Sequence, residues 1–369
     1  MDIVVYSRFD EELKHIWQNC EKNVVIMTPF HSYAWLSHWY QTIGGPILSI
    51  EPQIVSLKQN ENTIAILPLC IRNSFGIKIL EWLGGANTDY MGPLVVPKYS
   101  NYLINHNYWD LIKSKINNYD IIHFQKQTKW SMELMGKIGF SDNNDNIISR
   151  KAILKPTWDE YFSTVKKRIR SDSKRQKRRL NKIGYVRFVI AESAKEKKSI
   201  IKKMITQKSR QYKETGVKDM FAINEYQDFY IELADINSLI INIHCAALKV
   251  GNITIATHLG LVHENTFYYL MPAYEGGDWR KYSSGRLLLL ELLQWSIEQG
   301  LKFFDFTSGE ETYKKDWCDS ENKIYSFIKA NTFKGVAYYK LLMIKNNLKK
   351  SQVILYALKS LRKFINKFK

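Results

Sequence analysis

The stretch LKQNENTIAILPL, Leu57–Leu69, has a close counterpart in the second half of the chain, LKVGNITIATHLG, Leu248–Gly260. Both stretches place a Leu-Lys pair and a Thr-Ile-Ala triplet at the same separation. A second similar pair, YDIIHFQ (Tyr119–Gln125) and LKFFDFTSG (Leu301–Gly309), follows in the same order. Since two matches recur in order, we infer an internal duplication of about 180–190 residues.

The periodicity of apolar residues predicts strands and helices in a similar order in each half. Alternating patterns predict strands at 3–6, 53–58, 63–71, 77–83 and 120–124, and later at 242–249, 254–262, 266–272 and 302–306. Helical patterns predict helices at 107–115, 158–182, 194–215, 224–239 and 284–299, besides a helical face within 28–45. The sequence therefore predicts an α/β fold (an α+β mixed sheet) of two tandem units, each a mainly antiparallel sheet flanked by helices. We place the units at 1–150 and 151–330 and a basic helical tail at 331–369.

The two halves differ in their polar motifs. Only the second half has a small-residue turn that opens a long helix, YSSGRLLLLELLQW, and the extended segment TSGEETYKKDW. We therefore expect the second unit to hold the reaction site and the first to help hold a substrate.

The net charge of +18 over 369 residues comes from two segments. Lys166–Lys182 carries ten Lys and Arg against Asp172 alone, and Lys334–Lys369 carries ten with no acidic residue. The rest of the chain is close to neutral, so anionic partners are expected at two places. Four scattered Cys give neither a zinc motif nor a disulfide framework, which favours a reducing cytoplasm and no metal. We expect neither a signal peptide nor a transmembrane helix.

Ser283, Ser284, Gly285 and Arg286 open a predicted helix after a strand and a loop. A helix N-terminus presents unpaired N–H groups and the positive end of the helix dipole, which suit a pyrophosphate. An ordinary Ser N-cap is the alternative interpretation.

The segment Lys166–Lys182 is predicted to be a basic helix. Ten like charges in one helix repel each other and are typically stabilised by a polyanion, such as a coenzyme, a nucleotide-linked sugar or tRNA. A solvated charged helix is the alternative, and the segment has no aromatic residues on which bases could stack.

Other candidate residues lie on or near the last strands of the second unit. His258 is either a general base or a buried structural histidine. Asp305 interrupts an apolar strand, where a buried carboxylate must be paired or become neutral. Lys314, next to Tyr313, could stabilise an oxyanion or a phosphate, or lie on the surface as a simple charge.

The tail repeats apolar residues at helical spacing from Val353 to Phe368, with Lys and Arg on the opposite face. Residues 351–369 could dock onto the protein or lie on an anionic membrane surface.

Together, the run from Trp158 to Trp317 resembles GNAT-superfamily acyltransferases of the cellulose and exopolysaccharide biosynthesis type, which are related to the Fem aminoacyltransferases. The resemblance extends more weakly to PFHSYAWLSHWY and DYMGPLVVP in the first half. It implies two GNAT-like units and transfer of an acyl group, with acetyl-CoA as the co-substrate, onto an amine or hydroxyl of a sugar or cell-envelope precursor.

The same resemblance implies roles for individual residues. Ser283 to Arg286 match the coenzyme-binding turn of the family in a reduced form, and Arg170 matches its Arg-rich element. The positions of His258, Asp305, Tyr313 and Lys314 match its catalytic motifs. Two alternatives remain: Fem-like transfer of an aminoacyl group from tRNA, although the long helical arm of Fem proteins has no counterpart in the sequence, and a non-catalytic scaffold.

Overall fold

The computed structural model describes residues 1–23, 28–106, 108–135, 141–142, 147–309 and 311–350. The strands within these residues are β1 (Asp2–Tyr6), β2 (Glu51–Gln59), β3 (Asn62–Ser74), β4 (Ile77–Trp82), β5 (Leu94–Val95), β6 (Ile121–Gln127), β7 (Ser141–Asp142), β8 (Ile147–Ile153), β9 (Val186–Ile190), β10 (Asn242–Val250), β11 (Ile253–His263), β12 (Thr266–Tyr274), β13 (Phe303–Ser308) and β14 (Ser320–Ala330). The α-helices are α1 (Glu11–Glu21), α2 (Tyr33–Trp39), α3 (Ser100–Asn105), α4 (Trp109–Lys115), α5 (Lys129–Met135), α6 (Trp158–Thr164), α7 (Lys167–Asn181), α8 (Ala194–Thr215), α9 (Asn224–Glu232), α10 (Ser284–Glu298) and α11 (Phe333–Lys350).

The strands form one mixed sheet in the order β1-β2-β3-β4-β6-β14-β8-β13-β12-β11-β10-β9. The order is symmetrical about the β14–β8 pair. On each side three antiparallel strand pairs are followed by one parallel pair. The parallel pair is β4 with β6 on one side and β12 with β13 on the other. We call β1–β6 with the end of β14 the first unit, and β8–β13 the second unit.

The duplication read from the sequence is confirmed by the strand register. In the first unit Leu57 pairs with Ala65 and Lys58 with Thr63, so a bulge separates the two pairs. In the second unit Leu248 pairs with Ala256 and Lys249 with Thr254, around a bulge at the same place. The repeated Leu-Lys and Thr-Ile-Ala residues are thus the two sides of one bulged hairpin, built twice. The predicted fold class, a tandem pair of mixed sheets flanked by helices, is confirmed.

The last strand of each half of the sequence pairs with the sheet of the other half, which the sequence did not predict. β8 pairs with β13 of the second unit, while Tyr325–Ala330 of β14 returns to pair with β6 of the first. The proposed division after residue 150 therefore falls inside β8. β14 begins with the polar run Ser-Glu-Asn-Lys, which lacks the alternation that predicts a strand, and its partners lie far away in sequence.

The prediction of a single helix at 158–182 was wrong, because the structure has two helices there, α6 and α7. Val165 is buried and adopts an extended backbone between α6 and α7. A β-branched residue held in the core favours this conformation.

The tail helix α11 is described to Lys350, and the apolar pattern predicted for 351–369 lies outside the described residues. None of the described helices combines the length and the apolar character needed to cross a lipid bilayer.

One apolar core joins the two units. Phe30 of the first unit is fully buried, with ring centroids 5.3 Å from Trp35 and 6.0 Å from Tyr268 of the second unit. The same cluster contains Trp17 from α1 and Phe229 from α9. Removing a side chain from this core should therefore destabilise both units together.

We expect Phe30→Ala to lower the free energy of unfolding by about 3–5 kcal/mol, because it removes a buried aromatic ring and leaves a cavity. Urea denaturation followed by fluorescence and by circular dichroism should show a single shifted transition. Phe75→Ala is the matched control, since Phe75 is fully exposed. Two separate transitions, only one of which shifts, would show that the units unfold independently.

Candidate active site

The parallel strands β12 and β13 pair only at their beginnings. Thr266, Phe267 and Tyr268 face Phe303, Phe304 and Asp305, and beyond these residues the two strands part. A bulge opposite Leu259 and Gly260 makes Leu270 an extra residue in β12. The strand β13 turns at Thr307, whose φ of 57° lies in the left-handed region. The bulge and the turn together open a gap in the middle of the second unit.

A cleft of about 1130 Å³ lies at this gap. Its walls come from the ends of β12, the start of α10, the first half of α7, the helix α8 and the segment after β13. The lining residues are Arg168, Ile169, Ser171, Asp172, Arg175, Lys208, Gln211, Tyr269, Pro272, Tyr274, Arg280, Ser283, Ser284, Gly285, Arg286, Leu289, Glu311, Tyr313, Asp316 and Trp317. Since α7 and α10 pack on one face of the sheet and α8 on the other, residues from both faces line the cleft.

All four residues of the predicted turn line the cleft. Ser283 has a φ of 53° and its side chain makes no capping hydrogen bond, so it is not an ordinary N-cap. The hydroxyl of Ser284 is buried and has no hydrogen-bond partner among the residues that the structure describes. A side chain at Gly285 would lie 3.0 Å from the ring of Tyr274, so a residue without Cβ fits best. The N–H of Arg286 already donates to the carbonyl oxygen of Ser283, so the N–H groups of Ser284 and Gly285 are the ones that suit an anion.

Cationic side chains surround the same helix start. Arg168 and Arg175 of α7 and Arg280 line the cleft. Asp172 accepts hydrogen bonds from Arg286 and Arg175. Burial alone would raise the pKa of Asp172, but these hydrogen bonds outweigh it and the pKa lies below its usual value. Asp172 thus holds Arg286 and Arg175 in place, and Glu214 likewise accepts a hydrogen bond from Arg280.

Arg170 has a different environment from its neighbours on α7. It is half-buried, its Nε has no hydrogen-bond partner within the described residues, and it is not among the residues that line the cleft. Its assignment to coenzyme binding stays a prediction.

Two lysines and a glutamate form a charged group on the α8 side of the cleft. Lys208 donates to the carbonyl oxygen of Pro272 at 3.1 Å, and burial lowers its pKa. Burial alone would raise the pKa of Glu311, but the hydrogen bond and charge of Lys314 hold it below its usual value. Glu311 is therefore an ionised carboxylate at the cleft wall.

The predicted pair Tyr313 and Lys314 is split between two environments. Tyr313 lines the cleft and is 39% exposed, and burial of its hydroxyl raises its pKa. Lys314 is buried, with its Nζ 2.9 Å from Glu311 Oε2 and 3.2 Å from the carbonyl oxygen of Ser308. Lys314 thus braces the loop and orients Glu311.

Asp305 lies behind the cleft and explains why an apolar strand contains a carboxylate. Its Oδ1 accepts a hydrogen bond from the backbone N–H of Thr307 at 2.7 Å and from the hydroxyl of Tyr90 at 2.8 Å. Lys151 Nζ lies 3.8 Å from the other oxygen. Burial raises the pKa of Asp305, and Lys151 opposes this. Asp305 stabilises the turn at Thr307 and ties it to the first unit.

His258 also lies behind the cleft. It is fully buried on β11, and its ring stacks on that of Tyr269, a cleft residue, with centroids 4.4 Å apart. Neither ring nitrogen has a hydrogen-bond partner among the described residues. Burial holds its pKa well below the usual value, so the ring is neutral.

The matching gap in the first unit is occupied by the protein itself. The loop that follows β4 forms a parallel bridge from Met91 to Gln127 of β6. Lys126 fixes this loop by donating to the carbonyl oxygens of Ala86 and Thr88. In the first unit, the position that corresponds to the cleft is therefore closed.

Several cleft residues were not predicted, above all Lys208, Gln211 and Glu311. Lys208 and Gln211 lie among many polar residues of α8, and nothing in their spacing distinguishes them. Glu311 is one of two adjacent glutamates in TSGEETYKKDW, and the sequence does not distinguish them. Within the described part of the chain, no cluster of His, Cys, Asp or Glu has the geometry of a metal site.

Comparison with known proteins supports the fold of this site. Residues 167–315, which begin at α7 and include most of the residues that line the cleft, match the family model described as "Acetyltransferase (GNAT) domain". None of the curated proteins matches the sequence significantly.

Three solved structures resemble nearly the whole chain. FemX has a TM-score of 0.64 at 11% identity, covering 92% of this chain and 99% of its own. L-PGS from Bacillus licheniformis has a TM-score of 0.52 at 11% identity, covering 91% and 96%. A tandem GNAT protein from the clavulanic acid biosynthesis pathway has a TM-score of 0.50 at 9% identity, covering 89% and 98%. At these identities the likeness shows a shared fold, and the chain has a tandem GNAT-like fold.

Three buried histidines should make stability depend on pH. Burial lowers the pKa of His31 and of His244 to about 4 and that of His258 well below its usual value. Below the ordinary value of 6.5 the unfolded chain takes up protons that the folded chain does not. The free energy of unfolding should thus be highest above pH 6.5 and fall as the pH decreases.

His258→Gln should reduce this slope by up to about 1.4 kcal/mol per pH unit, the contribution of one proton. Urea denaturation of both proteins between pH 5 and 7.5 measures the two slopes. Parallel curves would show that His258 is protonated in the folded protein.

Proposed function

We propose that this protein is a GNAT-type acyltransferase that moves an acyl group, acetyl from acetyl-CoA, onto an amine or hydroxyl of a sugar or cell-envelope precursor. The observation that carries the proposal is the gap between β12 and β13, which opens into a cleft bordered by the start of α10 and by arginines. The transfer is direct, from donor to acceptor, without an acyl-enzyme.

The α10 side of the cleft suits the anionic part of the donor. The N–H groups of Ser284 and Gly285, the Ser284 hydroxyl and the arginines of α7 offer hydrogen bonds and positive charge to a pyrophosphate. The cleft volume of about 1130 Å³ exceeds that of ordinary small-ligand pockets. A long ligand such as an acyl-CoA fits this size, with its thioester arm in the gap between the strands.

The α8 side of the cleft suits the acceptor. The acceptor nitrogen or oxygen attacks the thioester carbon and passes its proton to the Glu311 carboxylate. The C–N or C–O bond forms, the C–S bond breaks, and the leaving sulfur takes up the proton that Glu311 received, so that free thiol is released and Glu311 is again a carboxylate. The carbonyl oxygen gains negative charge, which the ammonium of Lys208, a residue that lines the cleft, would stabilise.

The remaining predicted residues have supporting roles in this proposal. Tyr313 contacts the acyl group or the acceptor at the cleft wall, and Lys314 orients Glu311. Asp305 holds the turn at Thr307, and His258 supports Tyr269 from behind. Asp305 and His258 are thus positioning residues, because neither lines the cleft.

The nature of the acceptor rests on the sequence resemblance to exopolysaccharide-type acyltransferases. The resemblance in fold to FemX keeps aminoacyl transfer from tRNA as a second candidate, for which the basic helix α7 would supply phosphate contacts. We rank it second because each described helix of fifteen residues or more packs against the sheet or a neighbouring helix, and none forms a projecting arm. A non-catalytic scaffold is the third candidate.

We expect the protein to release free coenzyme A thiol from acetyl-CoA in the presence of amino sugars. Glu311→Gln should lower kcat by about 10²–10⁴-fold, since general-base catalysis typically contributes that much. The stabilisation of the fold by acetyl-CoA in a thermal-shift assay should not change, because Glu311 lies on the acceptor side. Glu264→Gln, at a hairpin remote from the cleft, is the matched control.

Three results would contradict the proposal. No thiol release from any acyl-CoA across an amino-sugar panel would exclude the proposed donor and acceptor pair. Activity that is lost on RNase treatment would favour the tRNA-dependent reaction. If Glu311→Gln left the cellular role of the protein unchanged, the non-catalytic scaffold would be favoured.

A further inference from the structure

The helix α11 covers the first unit with one face only. Tyr338, Tyr339 and Leu342 pack on a small apolar cluster formed by Ile79, Ile121 and Ile328 of β4, β6 and β14. The start of the helix is fixed on Asp120, which accepts a hydrogen bond from the Thr332 hydroxyl at 2.6 Å. These contacts determine which way the remaining side chains point.

The opposite face of α11 is apolar and exposed. Phe333, Val336, Leu341, Ile344 and Leu348 recur at helical spacing and are between 41% and 95% exposed. They form one stripe along the helix, on the side away from Tyr339 and Leu342. An exposed apolar stripe of this length is uncommon on a soluble surface and indicates a binding partner.

Lysines accompany the stripe: Lys334 and Lys345 lie beside it, while Lys340 lies within it, four residues from both Val336 and Ile344. Lys334, Lys340 and Lys345 lie on exposed positions of the same helix. Residues 331–369 contain no Asp or Glu against ten Lys and Arg. The surface that complements this helix is therefore apolar at its centre and anionic around it.

We propose that α11 binds an anionic lipid surface, with the stripe from Phe333 to Leu348 inserted among the acyl chains and the lysines at the headgroups. A convex helix inserts into a lipid interface without a matching groove, and lysines beside the apolar face bind anionic headgroups. RNA would use the lysines but leave the five apolar side chains in water. The proposal does not depend on acyl transfer.

The test measures binding of the full chain to vesicles by co-sedimentation. One set of vesicles contains phosphatidylcholine alone and the other contains phosphatidylglycerol as well. The double variant Leu341→Glu with Ile344→Glu places two charges in the stripe, at exposed positions that should not affect folding. The double variant Phe75→Glu with Leu239→Glu is the control, because it makes the same change in charge at two exposed apolar residues elsewhere.

The wild type and the control should bind the anionic vesicles and bind phosphatidylcholine weakly. The α11 variant should lose about tenfold or more in affinity while keeping the wild-type melting temperature, because the apolar insertion is lost. Equal binding by the α11 variant and the control would overturn the proposal. So would light scattering that shows a lipid-free dimer of the wild type that the α11 variant lacks, since the stripe would then bind a second copy.

Discussion

The structure depends on one constraint, the separation of the parallel strands β12 and β13 after Tyr268 and Asp305. Separated strands leave backbone groups without sheet partners, which is unfavourable unless other contacts hold the strands apart. The bulge at Leu270 and the left-handed Thr307 provide the geometry. The carboxylate of Asp305 stabilises that turn through the N–H of Thr307, and Tyr90 connects both to the first unit. The cleft exists because these contacts hold the sheet open.

The two units share one fold but differ at the gap between their parallel strands. In the first unit, the chain after β4 fills the corresponding position through the Met91–Gln127 bridge. In the second unit, the chain after β12 instead runs to the start of α10 and leaves the gap free. The basic helix α7, which precedes β9, brings positive charge to the open gap of the second unit. The first unit supports the second through the shared core around Phe30 and through Tyr90.

Local patterns in the sequence predicted the elements and the duplication, because a bulged hairpin leaves its residues at fixed spacing. They also identified the turn at Ser283 to Arg286 and the pair Tyr313 and Lys314. The exchange of β8 and β14 could not be predicted, since it depends on pairing between distant segments. Lys208 and Glu311 acquire their environment only when α8 meets the segment after β13. The sequence shows Asp305 and His258 as polar residues within apolar strands. Only the structure shows that they lie behind the cleft wall.

The central claim is that the second unit alone binds an acyl donor, between β12 and β13. Hydrogen–deuterium exchange with and without acetyl-CoA tests it most directly, since backbone amides that bind the ligand exchange more slowly. We predict protection at residues 168–175, 269–274 and 283–289 and no change at 84–92 of the first unit. Protection confined to the first unit, or no protection at saturating acetyl-CoA, would contradict the account.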